Sequence, residues 1–207
     1  MKNLGSLSYF LDLEVTSSSD GYYLSQAKYA SELMSRAGLT NSKIVDSLLE
    51  MNVKFLPTDG EPLTNATLYR QLVRSLICLT ITRPDISYAV ILVSQFMHAP
   101  RSTHYIAVLR ILQYVKGILF HGLLFSAHST LDIQAYSNAD CVGDLTDRLS
   151  TTGYCFSLDH FLISWKNKKR TVVSCSSTEA EYRALADTTS KFSWLRWLLH
   201  DMGVPFD

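Results

Sequence analysis

Asp132-Ile133-Gln134-Ala135-Tyr136-Ser137-Asn138-Ala139-Asp140 reads as a β-strand that runs into a polar turn. Forty residues on, Ser176-Ser177-Thr178-Glu179-Ala180-Glu181-Tyr182-Arg183-Ala184-Leu185 opens a long helix. Between them lie β-rich runs at 151–157 and 161–165, parted by a turn at Asp159-His160, the pattern of an antiparallel meander. A further run at 123–126 precedes them, and a turn is expected at Gly143–Ser150. The helix, expected over 178–202, stops at Gly203.

Before this region the pattern is helical. Leu68, Leu72, Leu76 and Leu79 recur at helical spacing over 66–80, and Ile106, Leu109, Leu112 and Tyr114 do so over 104–116. Between these two helices, Thr82-Arg83-Pro84-Asp85 breaks one helix and starts another that runs to about Met97. Thr82 is the expected cap and Pro84 suits the first turn. An earlier helix from Ala27 ends at Gly38, a residue suited to the left-handed position after a helix. Asp20-Gly21, between 9–15 and 22–25, marks a hairpin. Residues 39–64 read as a surface loop. The expected fold class is therefore α+β: an N-terminal hairpin with a helical region over 1–127, then an antiparallel sheet with one long helix over 128–207.

The chain has 207 residues, 47% hydrophobic and 18% charged, which is the composition of folded protein. Lys and Arg balance Asp and Glu at 19 each, so there is no basic excess to grip nucleic acid unaided. Cys78, Cys141, Cys155 and Cys175 lack CxxC spacing and fit a reducing, intracellular compartment, cytoplasmic or nuclear. Residues 1–13 do not form a signal peptide, and no run reaches membrane-spanning length, so neither secretion nor a membrane partner is expected. The six histidines have no metal-binding spacing, and Trp194 and Trp197 are expected in core or interface positions.

Several collinear runs carry a resemblance. They are Leu4-Gly5-Ser6-Leu7-Ser8-Tyr9-Phe10-Leu11-Asp12-Leu13-Glu14-Val15, Leu24-Ser25-Gln26-Ala27-Lys28-Tyr29-Ala30 and Tyr69-Arg70-Gln71-Leu72-Val73. With them go Thr82-Arg83-Pro84-Asp85-Ile86-Ser87-Tyr88-Ala89-Val90, Ser94-Gln95-Phe96-Met97-His98-Ala99-Pro100, Ser164-Trp165-Lys166 and Ser177-Thr178-Glu179-Ala180-Glu181-Tyr182. Together the chain resembles the C-terminal part of a copia-type retrotransposon Pol polyprotein. The resemblance implies a reverse transcriptase region after the palm (thumb- or connection-like, 1–127), then the start of an RNase H-like domain (128–207). It implies RNA–DNA hybrid and the rest of the polyprotein as ancestral partners, Mg²⁺ as the ancestral cofactor, and no small-molecule substrate. It further implies that the palm aspartates and a third RNase H aspartate lie outside this chain, so polymerisation and metal retention are not expected. Cutting the sheet after its first helix is expected to leave 128–207 marginally stable.

Within the motifs, the family usually has glycine where Asp12 and Arg74 stand and tryptophan where Cys141 stands. The departure with most consequence is Asn138, where the family has a metal-binding aspartate. Two-metal hydrolysis needs anionic oxygen ligands, and an amide brings no charge. Three readings follow: an inactive Pol remnant, a working or partner-completed ribonuclease H, or a binding module without chemistry.

Candidate site residues each carry an ordinary alternative. Asp140 could replace the missing carboxylate or sit solvated in a turn. Glu181 could be the second ancestral metal ligand, since a helical wheel puts it on the stripe of Leu185, Thr188, Phe192, Leu195 and Leu199. Alternatively it closes a capping box with Thr178. Glu179 is expected to pair with Arg183 one turn on. In Trp165-Lys166-Asn167-Lys168-Lys169-Arg170, the four cations could contact a phosphate backbone or lie solvated in a loop.

Overall fold

A computed structural model describes residues 8–50, 55–140 and 149–204. Within them the chain forms two compact units that part between Leu124 and Phe125. The architecture is α+β, with a four-stranded and a three-stranded sheet and helices in both units. The parts of the expected Gly143–Ser150 turn before Leu149, and Cys141 with it, lie outside the described residues, as do Leu4–Leu7 of the first motif.

The first unit begins with β1 (Tyr9–Phe10), β2 (Leu13–Ser18) and β3 (Gly21–Ser25), paired antiparallel in that order. The single run expected over 9–15 is therefore split. The chain reverses at Leu11-Asp12, both with positive φ of 48° and 64°. The second hairpin turns through Ser19-Asp20, with Ser18 opposite Gly21. Left-handed backbone costs an ordinary L-residue roughly 1–2 kcal/mol and glycine almost nothing. The family's usual glycine at position 12 thus has a conformational reason. The double variant Leu11→Asn/Asp12→Gly should stabilise this hairpin by about 1–2 kcal/mol. The loss of the Tyr9 hydroxyl bond to Asp12 (2.9 Å) offsets little of that, because it is solvent-exposed. Slower exchange of the β2 and β3 amides would register the gain.

Helix α1 (Ala27–Arg36) ends in Gly38 at φ 69°, with Leu39 N–H bonded to Met34 O and Gly38 N–H to Ser35 O. These two bonds close the last turn, as glycine at that position allows. Helix α2 (Ala66–Leu79) starts where Asn65 Oδ1 accepts from Leu68 N–H at 3.0 Å. Its Tyr69, Leu72, Val73, Leu76 and Leu79 are buried, matching the 3.6-residue period. A 3₁₀ turn (Pro84–Ile86) leads into α3 (Ser87–Ser94), and α4 (Ser102–Gly117) completes the core with Val108, Ile111, Leu112 and Val115. The exposed position of Arg74 on α2 shows no close approach that would require the family's glycine. Strand β4 (Leu123–Ser126) joins the sheet after β3.

Thr82 does not cap the turn that follows it. Its buried hydroxyl donates instead to Gln26 Oε1 at 2.9 Å, tying the start of α1 to the end of α2. Arg83, itself 4% exposed, occupies the position before Pro84 and grips Asp85. His104 is wholly buried; Nδ1 accepts from Arg101 N–H, Nε2 faces Leu56 O, and the ring stacks on Phe96 at 3.8 Å. These three buried polar side chains each have partners, as burial requires.

The second unit is a meander: β5 (Ile133–Asp140), β6 (Thr151–Leu158) and β7 (Phe161–Lys169) in that order, all antiparallel. The β6–β7 turn is the expected Asp159-His160. Helix α5 (Ser177–Asp201) packs on β5 and β6. Phe156 on β6 is 2% exposed and meets Phe192 of α5 with ring centroids 6.4 Å apart.

Candidate functional site

Register fixes which side of the sheet each candidate occupies. Ser137 pairs with Tyr154 and Tyr154 with Lys166; Ala139 pairs with Thr152 and Thr152 with Lys168. Directly opposed residues share a face and neighbours along a strand alternate. Ala135, Ser137, Ala139, Thr152, Tyr154, Phe156, Lys166 and Lys168 therefore lie on the face that α5 packs against. Asn138 and Asp140 lie on the other face, and both are exposed. There Asn138 stands opposite Gly153, and Gly153 opposite Asn167. A Cβ on Gly153 would meet Asn167 Oδ1 at 2.5 Å, so the bare glycine is what lets Asn167 lie across the strand.

The start of α5 is built differently from the wheel's expectation. Ser176 is the N-cap; its Oγ accepts from Glu179 N–H at 3.1 Å, and Glu179 Oε2 accepts from Cys175 N–H at 2.7 Å. The capping pair is thus Ser176 with Glu179, two residues earlier than Thr178 with Glu181. Glu179 also pairs with Arg183 at 2.5 Å, as its spacing indicated. The Cys175 N–H bond, ahead of the Arg183 guanidinium, holds the Glu179 carboxyl below its ordinary value.

Glu181, free of the cap, is exposed. The buried stripe of α5 runs through Ala180, Ala184, Thr188 and Leu199. Glu181 and Leu185 stand one position off it, on the flank, and Leu185 is exposed. Small residues won the sheet-facing positions because they allow the helix to approach β5 closely, an effect invisible to a wheel that ranks side chains by hydrophobicity. Trp194 and Trp197 are exposed too, which removes the core alternative of their expected core or interface placement.

The basic run is no loop: Lys166, Lys168 and Lys169 belong to β7 itself. Alternation splits it, sending Lys166 and Lys168 to the helix side and Lys169 to the other. Arg170, just past the strand, has its N–H bonded to Ser150 O at 2.8 Å. Its Nη2 lies 3.0 Å from Asp187 Oδ2, near enough for an ion pair although the angle is not that of a hydrogen bond. Lys166 and Lys168 instead border a cavity of about 230 Å³ with Thr152, Tyr154, Ser190 and Lys191. Sequence reasoning passed over Lys191, Ser190 and Tyr154, because only the strand register and the packing of α5 on the sheet bring them to one cavity.

As a metal site the arrangement is poor. Two adjacent divalent ions need several anionic oxygens converging on one point. Position 138 offers a neutral amide, Asp140 shares its solvent-facing side, and Glu181 is carried on the helix that covers the other face. Among the described residues no group of three or more His, Cys, Asp or Glu is placed to hold a metal ion. The donor set among the described residues does not fit a two-metal centre. No helix among the described residues is long and apolar enough to cross a membrane.

The motifs that carry the Pol resemblance run collinearly through a hairpin and helical unit and then a three-stranded meander with one long helix. The chain is 43% identical over 204 residues to the retrovirus-related Pol polyprotein from transposon RE1 of Arabidopsis thaliana, covering 99% of this chain and 14% of that protein. It is 34% identical to the corresponding polyprotein from transposon TNT 1-94 of Nicotiana tabacum, over 99% of this chain and 16% of the relative. An uncharacterized mitochondrial protein of Arabidopsis thaliana is 40% identical over 94% of this chain and 80% of its own length. The chain belongs to the retrovirus-related Pol polyprotein family of copia-type transposons. It spans about 14% of the length of the two Arabidopsis transposon polyproteins it matches. No family model and no solved structure matches it.

Proposed function

We propose that this chain is a Pol-derived segment whose RNase H-like region no longer cuts. In this reading residues 1–127 correspond to the reverse transcriptase region after the palm, and 128–207 to the opening of the RNase H-like domain. The ancestral substrate is the RNA strand of an RNA–DNA hybrid, and the ancestral cofactor is Mg²⁺. The observation that carries the reading is Asn138: a neutral amide stands where the family resemblance places a metal-binding aspartate. Its exposed position, across the sheet from the face that α5 packs against, supports the same conclusion. Losing one carboxylate from a two-metal centre raises the repulsion between the cations and removes a ligand that fixes their geometry.

The test is hydrolysis of a labelled RNA–DNA hybrid by the purified chain and its Asn138→Asp variant, in Mg²⁺ and in Mn²⁺. No cleavage by the unaltered chain is expected in either metal. Cleavage gained by Asn138→Asp would identify the amide as the sole lesion. Cleavage by the unaltered chain that is abolished by Glu181→Gln would overturn the proposal and make the protein a ribonuclease.

A further inference from the structure

The cavity beside α5 has a chemistry that a degenerate cutting site does not explain. Its floor is Thr152, Gly153 and Tyr154 of β6; one wall is Lys166 and Lys168 of β7, and the other is Asp187, Ser190 and Lys191 of α5. The groove exists because α5 packs on β5 and β6, leaving the helix-side residues of the edge strand β7 open along its flank. Three lysines thus face a single carboxylate, and that carboxylate already lies 3.0 Å from Arg170. Among the described residues none of the three lysines is ion-paired. Lys191 lies over the ring of Trp194 at 5.9 Å, which biases its ammonium without neutralising it. Three like charges held about one cavity repel each other, and among the described lining residues Asp187 is the one carboxylate set against them. An anion entering the cavity would compensate them.

We propose that this cavity binds a compact phosphoryl anion, a phosphate or diphosphate group. Lysine ammoniums supply point charges for the oxygens, and the hydroxyls of Tyr154 and Ser190 supply neutral donors around them. All three lysines border one cavity, two from β7 and one from α5. Of the neighbouring cations that would extend them into a line, Arg170 is held by the cavity's own Asp187 and Arg183 is paired with Glu179. A concentrated charge, not an extended phosphodiester backbone, is the matching ligand. The inference is independent of whether the chain cuts RNA, and its readout is anion binding, so either can fail alone.

The experiment is titration of the full chain with inorganic diphosphate and with phosphate, followed by calorimetry and by amide shifts of β6, β7 and α5. Diphosphate should bind more tightly than phosphate, and affinity should fall with added salt. Lys166→Gln, Lys168→Gln and Lys191→Gln should each weaken diphosphate binding about tenfold, the range expected for losing one charge-assisted bond. All three side chains are exposed, so these variants should keep the wild-type circular dichroism. Equal binding by the three variants, or no binding of diphosphate at low salt, would overturn the assignment. An unphosphorylated oligonucleotide strand that binds as tightly as diphosphate would also overturn it, whereas a strand that binds only with a terminal phosphate would support it.

Discussion

Asp85→Ala should destabilise the first unit by about 3–5 kcal/mol, enough to unfold many domains of this size. The reason lies in the partner it abandons. Arg83 is 4% exposed, and its Nε and Nη2 bond to the two Asp85 oxygens at 2.9 and 2.6 Å. Nη1 reaches Ile118 O at 3.0 Å, and the guanidinium lies over the Tyr114 ring at 6.0 Å. Without the carboxylate, a buried cation keeps only a carbonyl and an aromatic face. Arg83→Met should cost less than Asp85→Ala, since it leaves Asp85, which is 40% exposed, able to hydrate. The double variant should be more stable than Asp85→Ala alone. Urea unfolding followed by amide exchange in α2 and α4 measures each; a double variant no better than the single would refute the buried-charge account.

The helices of the first unit were readable from period alone, because burial there is close to complete and large apolar side chains mark the core. Leu72, Leu76 and Leu79 of α2 and Leu112 of α4 are where the spacing puts them, whereas Ile106 of the expected α4 stripe is exposed and Ile111 takes a core place instead. The reversal at Leu11-Asp12 was not legible, since Asp12 tolerates positive φ but Leu11 before it gives no such signal. Thr82 misled for another reason. A threonine before Arg-Pro-Asp has the chemistry of a cap, but a buried glutamine 56 residues away competes for its hydroxyl and wins.

The candidate region was legible as elements and illegible as geometry. Both Ser176-x-x-Glu179 and Thr178-x-x-Glu181 have capping-box spacing, and only the structure shows that the first is used. The basic run gave its charges but not their sides. Once it is seen as strand, alternation divides Lys166 and Lys168 from Lys169, and cross-strand pairing brings Thr152 and Tyr154 beside the first two. Lys191 comes from α5 and is beyond reach of any local reading. Burial of Tyr154, with Asp187 nearby adding to it, raises the phenol's pKa and keeps it a neutral hydroxyl donor.

Phe156→Ala should cost the second unit about 3–5 kcal/mol and leave the first unit folded. The expectation rests on how little apolar volume the second unit encloses. Among its described residues, Phe156 and Leu199 are the large apolar side chains that are buried, joined by Ala180 and Ala184. Tyr182, Leu185, Trp194 and Trp197 of α5 and Met202 just past it are all exposed, so much of the helix's apolar surface contributes nothing. Removing one aromatic ring from so thin a core removes a large share of its stabilisation, and the ring contacts with Phe192 and Tyr154 go with it. The chain supplies its own selective reporter, because its three tryptophans, Trp165, Trp194 and Trp197, all belong to this unit. Tryptophan fluorescence should therefore lose its native spectrum at a lower urea concentration in the variant, while amide protection in α2 and α4 stays at wild-type levels. Simultaneous loss of protection in both regions would show that the units unfold as one body and would sink the prediction.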